Sequence, residues 1–265
     1  MDAEGAQMAA RSEAPGIACY GPLTKLRMGE GGEGGEQGGE AGERGLASVF
    51  AHTTAPQEFA ACVSMVQAHL TAARALLAAG NPGDASLTLR HGALRYAGMD
   101  ALLAARRIDP VQEDLKELST RAAQGPTLAQ LAKDLDAVDA RLAAALRTVP
   151  ADAQAQPDFA LGVALALWKQ LAARYPAAID GDTLANEAIY EECWALAQRA
   201  ATWVQRAEPA LRATRADALA RLTAAMGQLS AALPEKPPET VAAPKALYTL
   251  ALRLELGVRQ LAKLP

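Results

Sequence analysis

The chain is poor in the residues that most often carry chemistry or build strands. Aromatics make up 4% of its 265 residues, while hydrophobic residues reach 51%. A core must therefore be filled by Ala, Leu and Val, which suits close-packed helices and suits strands poorly. The three cysteines, Cys19, Cys62 and Cys193, show no CxxC spacing. That leaves room for one disulfide at most and argues against a thiolate metal cluster. Basic blocks are missing as well: 26 basic and 30 acidic residues give a formal net charge of -4, which gives no support to a nucleic-acid surface. The longest apolar run, Phe159 to Trp168, is about half of the ~20 residues a spanning helix needs, so no transmembrane segment is expected. No GxSxG elbow, phosphate loop or HExxH is present, and a non-enzymatic role is expected. The start, Met1-Asp-Ala-Glu-Gly-Ala-Gln, has neither the n-region nor the h-region of a signal peptide. Two readings stay open: a cytoplasmic protein, or an exported one whose signal has been removed.

Residues 1–56 read as a Gly/Glu-rich, mostly irregular arm, with GEGGEGGEQGGEAGERG over 29–45. From there a helical period takes over. Phe59, Cys62, Val63, Val66, Leu70, Ala73 and Leu77 share one face, and the pattern stops at Gly80-Asn-Pro-Gly83. A second helix is expected from Asp84 to about Arg107, a third from Asp109-Pro110 to Gly125-Pro126, and a fourth from Thr127. Pro150 to Pro157 is a polar connector. Beyond it come a helix to Ile179, an Asp180-Gly181 turn, a helix to about Glu208, one opened by Pro209, and a last one after Pro244. The expected fold is an all-α, up-and-down antiparallel bundle. Its halves cover 57–150 and 157–265, either as two half-bundles or as one domain.

Oxygen-bearing side chains concentrate between Tyr175 and Glu192, in Tyr175, Asp180, Asp182, Glu187, Tyr190, Glu191 and Glu192. Glu187, Tyr190 and Glu191 sit at i, i+3 and i+4 and share a helix face. Carboxylates with a phenol are hard ligands, suited to Fe(III), Ca2+ or Mn2+. The same acids would equally complement a helix dipole and cap its N–H groups. His69 and His91 lie on consecutive helices at comparable heights from the Gly80 turn, where two imidazoles could ligate a transition metal such as iron or copper. No carboxylate lies one turn from His91 to orient it. Trp168, Trp194 and Trp203 read as core or helix-contact residues.

Two stretches are similar to known patterns. Ala172, Tyr175, Ala178-Ile179, Gly181, Asn186, Tyr190 and Glu192 resemble a motif of bacterial helical iron-uptake proteins. That set includes imelysin-like periplasmic proteins and the extracytoplasmic helical domain of iron permeases. His69-Leu70, the run to Gly80, Ala85 and His91 resemble a companion imelysin-like pattern. The sequence departs from these patterns by carrying Ile189 where an acid is expected, Gly92 where a Pro is expected, and Arg95 where a Glu is expected. Arginine cannot ligate a cation. The resemblance implies a periplasmic, metal-binding and iron-handling protein with a degenerate site drawn from Tyr190, Glu191, Asp182, His91 and His69. The alternative is a metal-free helical scaffold or accessory subunit that binds another protein.

Overall fold

Thr54 and Thr127 begin the two most clearly capped helices. Each backbone N–H donates to the side-chain oxygen of a Gln three residues on, Gln57 and Gln130, at 2.7 Å. This capping box satisfies donors that the first turn leaves free. The structure, a computed structural model, describes residues 49–50 and 53–264. The Gly/Glu arm lies outside them, as do Cys19 and His52. Among the described residues ten α-helices follow one another. These are α1 (Ala55–Ala78), α2 (Pro82–Arg95), α3 (Met99–Ala104), α4 (Gln112–Ala122), α5 (Leu128–Leu146), α6 (Ala151–Ala155), α7 (Pro157–Arg174), α8 (Glu187–Thr214), α9 (Ala216–Ala232) and α10 (Pro244–Leu261). The all-α expectation holds.

The helices close into two rings. In the first, α1, α2, α4 and α5 each pack on the next and α5 returns to α1. In the second, α7, α8, α9 and α10 do the same. The rings meet where α1 packs on both α7 and α8. Alanine makes that seam close: Ala60, Ala61, Ala68, Ala72 and Ala73 of α1 are all but completely buried, as are Ala160, Ala164 and Ala166 of α7. Small side chains let backbones approach and keep van der Waals contact where few aromatics are available. Trp203 fastens the seam by donating its indole N–H to Ser64 Oγ at 2.9 Å. Helix α1 is also the one described helix long and apolar enough to cross a membrane, yet 83% of that apolar window is buried inside the protein.

Several details differ from the sequence expectation, among them a short helix, α6, inside the expected connector and an end at Arg174 for the helix expected to reach Ile179. Helix α8 runs through Pro209 to Thr214 and ends at Arg215. Both Pro209 and Gln205, whose carbonyl loses its donor, are exposed, so water can satisfy that carbonyl. The helix expected from Asp84 to Arg107 stops at Tyr96 and resumes at Met99. Finally, a short hairpin pairs β1 (Ile179–Asp180) with β2 (Thr183–Leu184), Ile179 facing Leu184. Gly181, at φ 65°, supplies the left-handed residue that such a two-residue loop favours.

Gln57 ties the rings together: its Nε2 donates to the carbonyls of Asp158 (2.9 Å) and Phe159 (3.3 Å). It lies over Gly162, where a Cβ would come within 2.3 Å of Nε2. Gly162→Ala gains about 1 kcal/mol of helix propensity. It displaces two hydrogen bonds worth about 1 kcal/mol each. A net loss of about 1 kcal/mol is expected in denaturant unfolding, opposite in sign to the usual Gly→Ala change in a helix.

Candidate functional site

Four helices converge on one carboxylate. Glu192, from α8, is 1% exposed. Its Oε1 receives His91 Nδ1 of α2 at 3.0 Å, and its Oε2 receives the Arg174 guanidinium of α7. His69 of α1 brings its Nδ1 to 3.3 Å of the same Oε1 but forms no hydrogen bond there, so that nitrogen is left without a partner. Burial alone would raise the Glu192 carboxyl. The nearby His69 and the Arg174 charge, with the His91 hydrogen bond, outweigh it and hold the group well below the usual carboxylate range. An ionised carboxylate only accepts, so Nδ1 is the His91 nitrogen that carries the proton. Gly92 makes this approach possible, because a Cβ there would stand 3.3 Å from His69 Cβ. The edge of His69 also meets the Tyr96 ring, with centroids 5.5 Å apart.

A carboxylate between two imidazoles is a familiar metal-binding set, but here a guanidinium already occupies the cation's place. Arg174 is fixed in charge and 7% exposed, and it neutralises Glu192 directly. Among the described residues no group of three or more His, Cys, Asp or Glu side chains is arranged to hold a metal ion.

The hairpin end of α8 holds the second group. Glu191 is 4% exposed, with Oε2 buried and unpartnered. Burial, then the charges of Glu187 and Glu235, push its carboxyl up to about 8. Glu187 itself accepts from Asn81 Nδ2 at 2.9 Å, at the turn between α1 and α2. Tyr190 and Tyr175 stand beside each other, ring centroids 6.3 Å apart. Their hydroxyls donate to carbonyls of the connector before α10: Tyr190 to Pro234 at 3.0 Å, Tyr175 to Ala242 at 2.8 Å. Burial raises both phenols, Tyr175 to about 12. They are donors in this arrangement, not phenolates. Asp182 sits exposed on the hairpin loop, its carbonyl accepting from Val241 N at 3.1 Å.

The five residues singled out from sequence therefore lie in three places. His69 and His91 meet at Glu192, Tyr190 and Glu191 line the base of the connector, and Asp182 is at the surface. The carboxylate that orients His91 does exist, on α8 and not one turn away on α2. Glu192 was named in the oxygen-bearing cluster and in the motif but not among the candidate ligands, and Arg174 was not singled out at all. Cys193 is a free, buried thiol, pushed up to about 12 mainly by burial, while Cys62 is disulfide-bonded. These two cysteines are therefore not each other's partners.

Residues 150–265 match the family model of the Iron permease-associated 4-helix bundle domain. That range contains α7, α8, α9 and α10, the second ring. No curated protein and no solved structure matches the chain. The similarity is to an iron-uptake-related helical family and is not specific to the imelysin-like one. It also corrects the expectation of no transmembrane segment, because an iron permease is a membrane transporter.

Two outcomes follow from the charges. Glu191 has a raised carboxyl, so folding favours its protonated form and stability falls as pH rises from about 4.5 towards 8. Glu191→Gln should match the unaltered protein near pH 5 and melt at a higher temperature near pH 9. At the other carboxylate, Glu192→Gln leaves Arg174 buried without a counter-charge and should cost about 3–5 kcal/mol in urea unfolding. Replacing both partners, Arg174→Met with Glu192→Leu, should cost less than the single change.

Proposed function

We propose that this chain is a non-enzymatic, iron-handling helical protein whose cation-binding capacity is reduced. It is related in its second ring to the bundle associated with iron permeases. The observation that carries the metal part of this reading is the buried Glu191 oxygen without a partner, next to Glu187 and Glu235. A carboxylate held in that state keeps either a proton or a cation, and carboxylate oxygens favour a hard ion such as Fe(III), Mn2+ or Ca2+ over copper. Iron here is cargo. The roles of Glu191 and Glu187 would be to exchange a proton for the ion, with Tyr190 holding the connector in place above them. The His69, His91 and Glu192 group would orient the helices, since Arg174 supplies its positive charge.

The second reading is a metal-free accessory bundle that serves a protein partner. The Arg174–Glu192 pair favours it, because a residue that replaces a metal ion preserves the architecture and removes the need for the ion. Both readings place the chain outside the cytoplasm.

Metal content of untagged protein, followed by calorimetric titration with Fe(III), Mn(II), Ca(II) and Cu(II), separates the two. The metal reading expects a site whose affinity falls at least about tenfold in Glu191→Gln while helicity is unchanged. No bound metal and no heat in the unaltered protein would remove it and leave the accessory bundle.

A further inference from the structure

The four large hydrophobic side chains exposed among the described residues are Leu94, Tyr248, Leu252 and Leu256. Three of them fall on α10 at i, i+4 and i+8, with exposures of 56%, 43% and 61%. At about 100° per residue they form one outward ridge. The opposite face of α10, Leu247, Leu254, Val258 and Leu261, is buried in the bundle, so the ridge is additional to the stripe the fold needs. Scattered exposed leucines are ordinary, but an aligned set is not. Cations flank the ridge: Lys245 and Arg259 share its angular sector and Arg253 lies at its edge. The single acid of α10, Glu255, is held by Arg259 at 2.8 Å and Lys169 at 3.6 Å, leaving no free negative charge on this helix.

We propose that the outward face of α10 is a docking surface for an anionic phospholipid bilayer. Leu252 and Leu256 would enter the interface, Tyr248 would sit at headgroup level, and Lys245 and Arg253 would meet the phosphates. Apolar side chains framed by lysine and arginine are the pattern of helices that lie in a membrane surface. The exposed positions of neighbouring α9 include the short side chains Ala220, Ala224, Gly227 and Ala231. Charge argues against a second copy of this chain as the occupant. An antiparallel pair centred on Leu252 faces Lys245 of each copy with the Arg259–Glu255 pair of the other, which offers it no unpaired acid, and a parallel pair sets like residues together. This inference does not depend on whether a metal binds at Glu191.

Flotation of the full chain with vesicles of phosphatidylcholine alone, and of phosphatidylcholine mixed with phosphatidylglycerol, tests it. Binding should be at least about tenfold stronger to the anionic vesicles and weaken as salt is raised. Leu252→Ser with Leu256→Ser should abolish it with circular dichroism unchanged, since both side chains are exposed. Lys245→Glu with Arg253→Glu should remove the preference for anionic lipid. Absence of vesicle binding, equal binding to neutral vesicles, or full binding by the double serine variant would each overturn the proposal. So would a dimer in sedimentation that the serine variant dissolves, which would make the ridge a self-interface. Binding to a soluble acidic protein without any binding to vesicles would assign the face to a protein and overturn the lipid reading.

Discussion

A single buried negative charge sits where the two rings join, and much of the architecture is organised around keeping it satisfied. Glu192 is approached by groups from α1, α2 and α7 while itself belonging to α8. A lone carboxylate at that depth would be prohibitively costly, so each helix is held at the height where its group reaches it. Arg174 fixes α7 against α8, His91 fixes α2, and Gly92 lets α2 come close enough to α1 for His69 to approach the same oxygen to 3.3 Å. The alanine seam determines how near the helices lie. The charge cluster determines their register along one another, a role in which buried polar groups are best attested.

The helices were mostly legible in the sequence because their signals are local. Three- and four-residue spacing of Leu, Val and Ala marked the buried faces, and Gly80-Asn-Pro-Gly83 and Gly125-Pro126 marked the ends. The errors also had local causes. Pro209 reads as a helix start, but on an exposed face its missing hydrogen bond can be replaced by water, and α8 continues. The strands are two residues long, too short for an alternating pattern to show. The candidate site was less legible because its contacts join residues distant in the chain. His69 and His91 could be set at one height from their common turn. The group between them could not, since Glu192 arrives from a helix about a hundred residues later. Tyr190 drew notice as an oxygen ligand; its partner, the Pro234 carbonyl, belongs to a connector whose path no periodicity announces.

The two carboxylates at the start of α8 show how environment divides identical side chains. Neighbours in sequence, Glu191 and Glu192 are both almost fully buried, yet one is pushed towards its protonated form and the other held ionised. Glu192 faces a guanidinium and imidazoles; Glu191 faces other acids. The first is a closed arrangement complete without any ligand. The second is open-ended, which is why the cation-binding proposal rests on Glu191.

The stretch from 150 to 265 is the part of this protein that matches a family model, and its four helices do close on themselves. As a transferable piece, however, it is incomplete. Moved alone into another protein, it would present the alanine faces of α7 and α8 to water and carry Glu192 without its two histidines. In this chain α1 fills the place against those faces. The boundary of family likeness and the boundary of physical self-sufficiency fall at different residues.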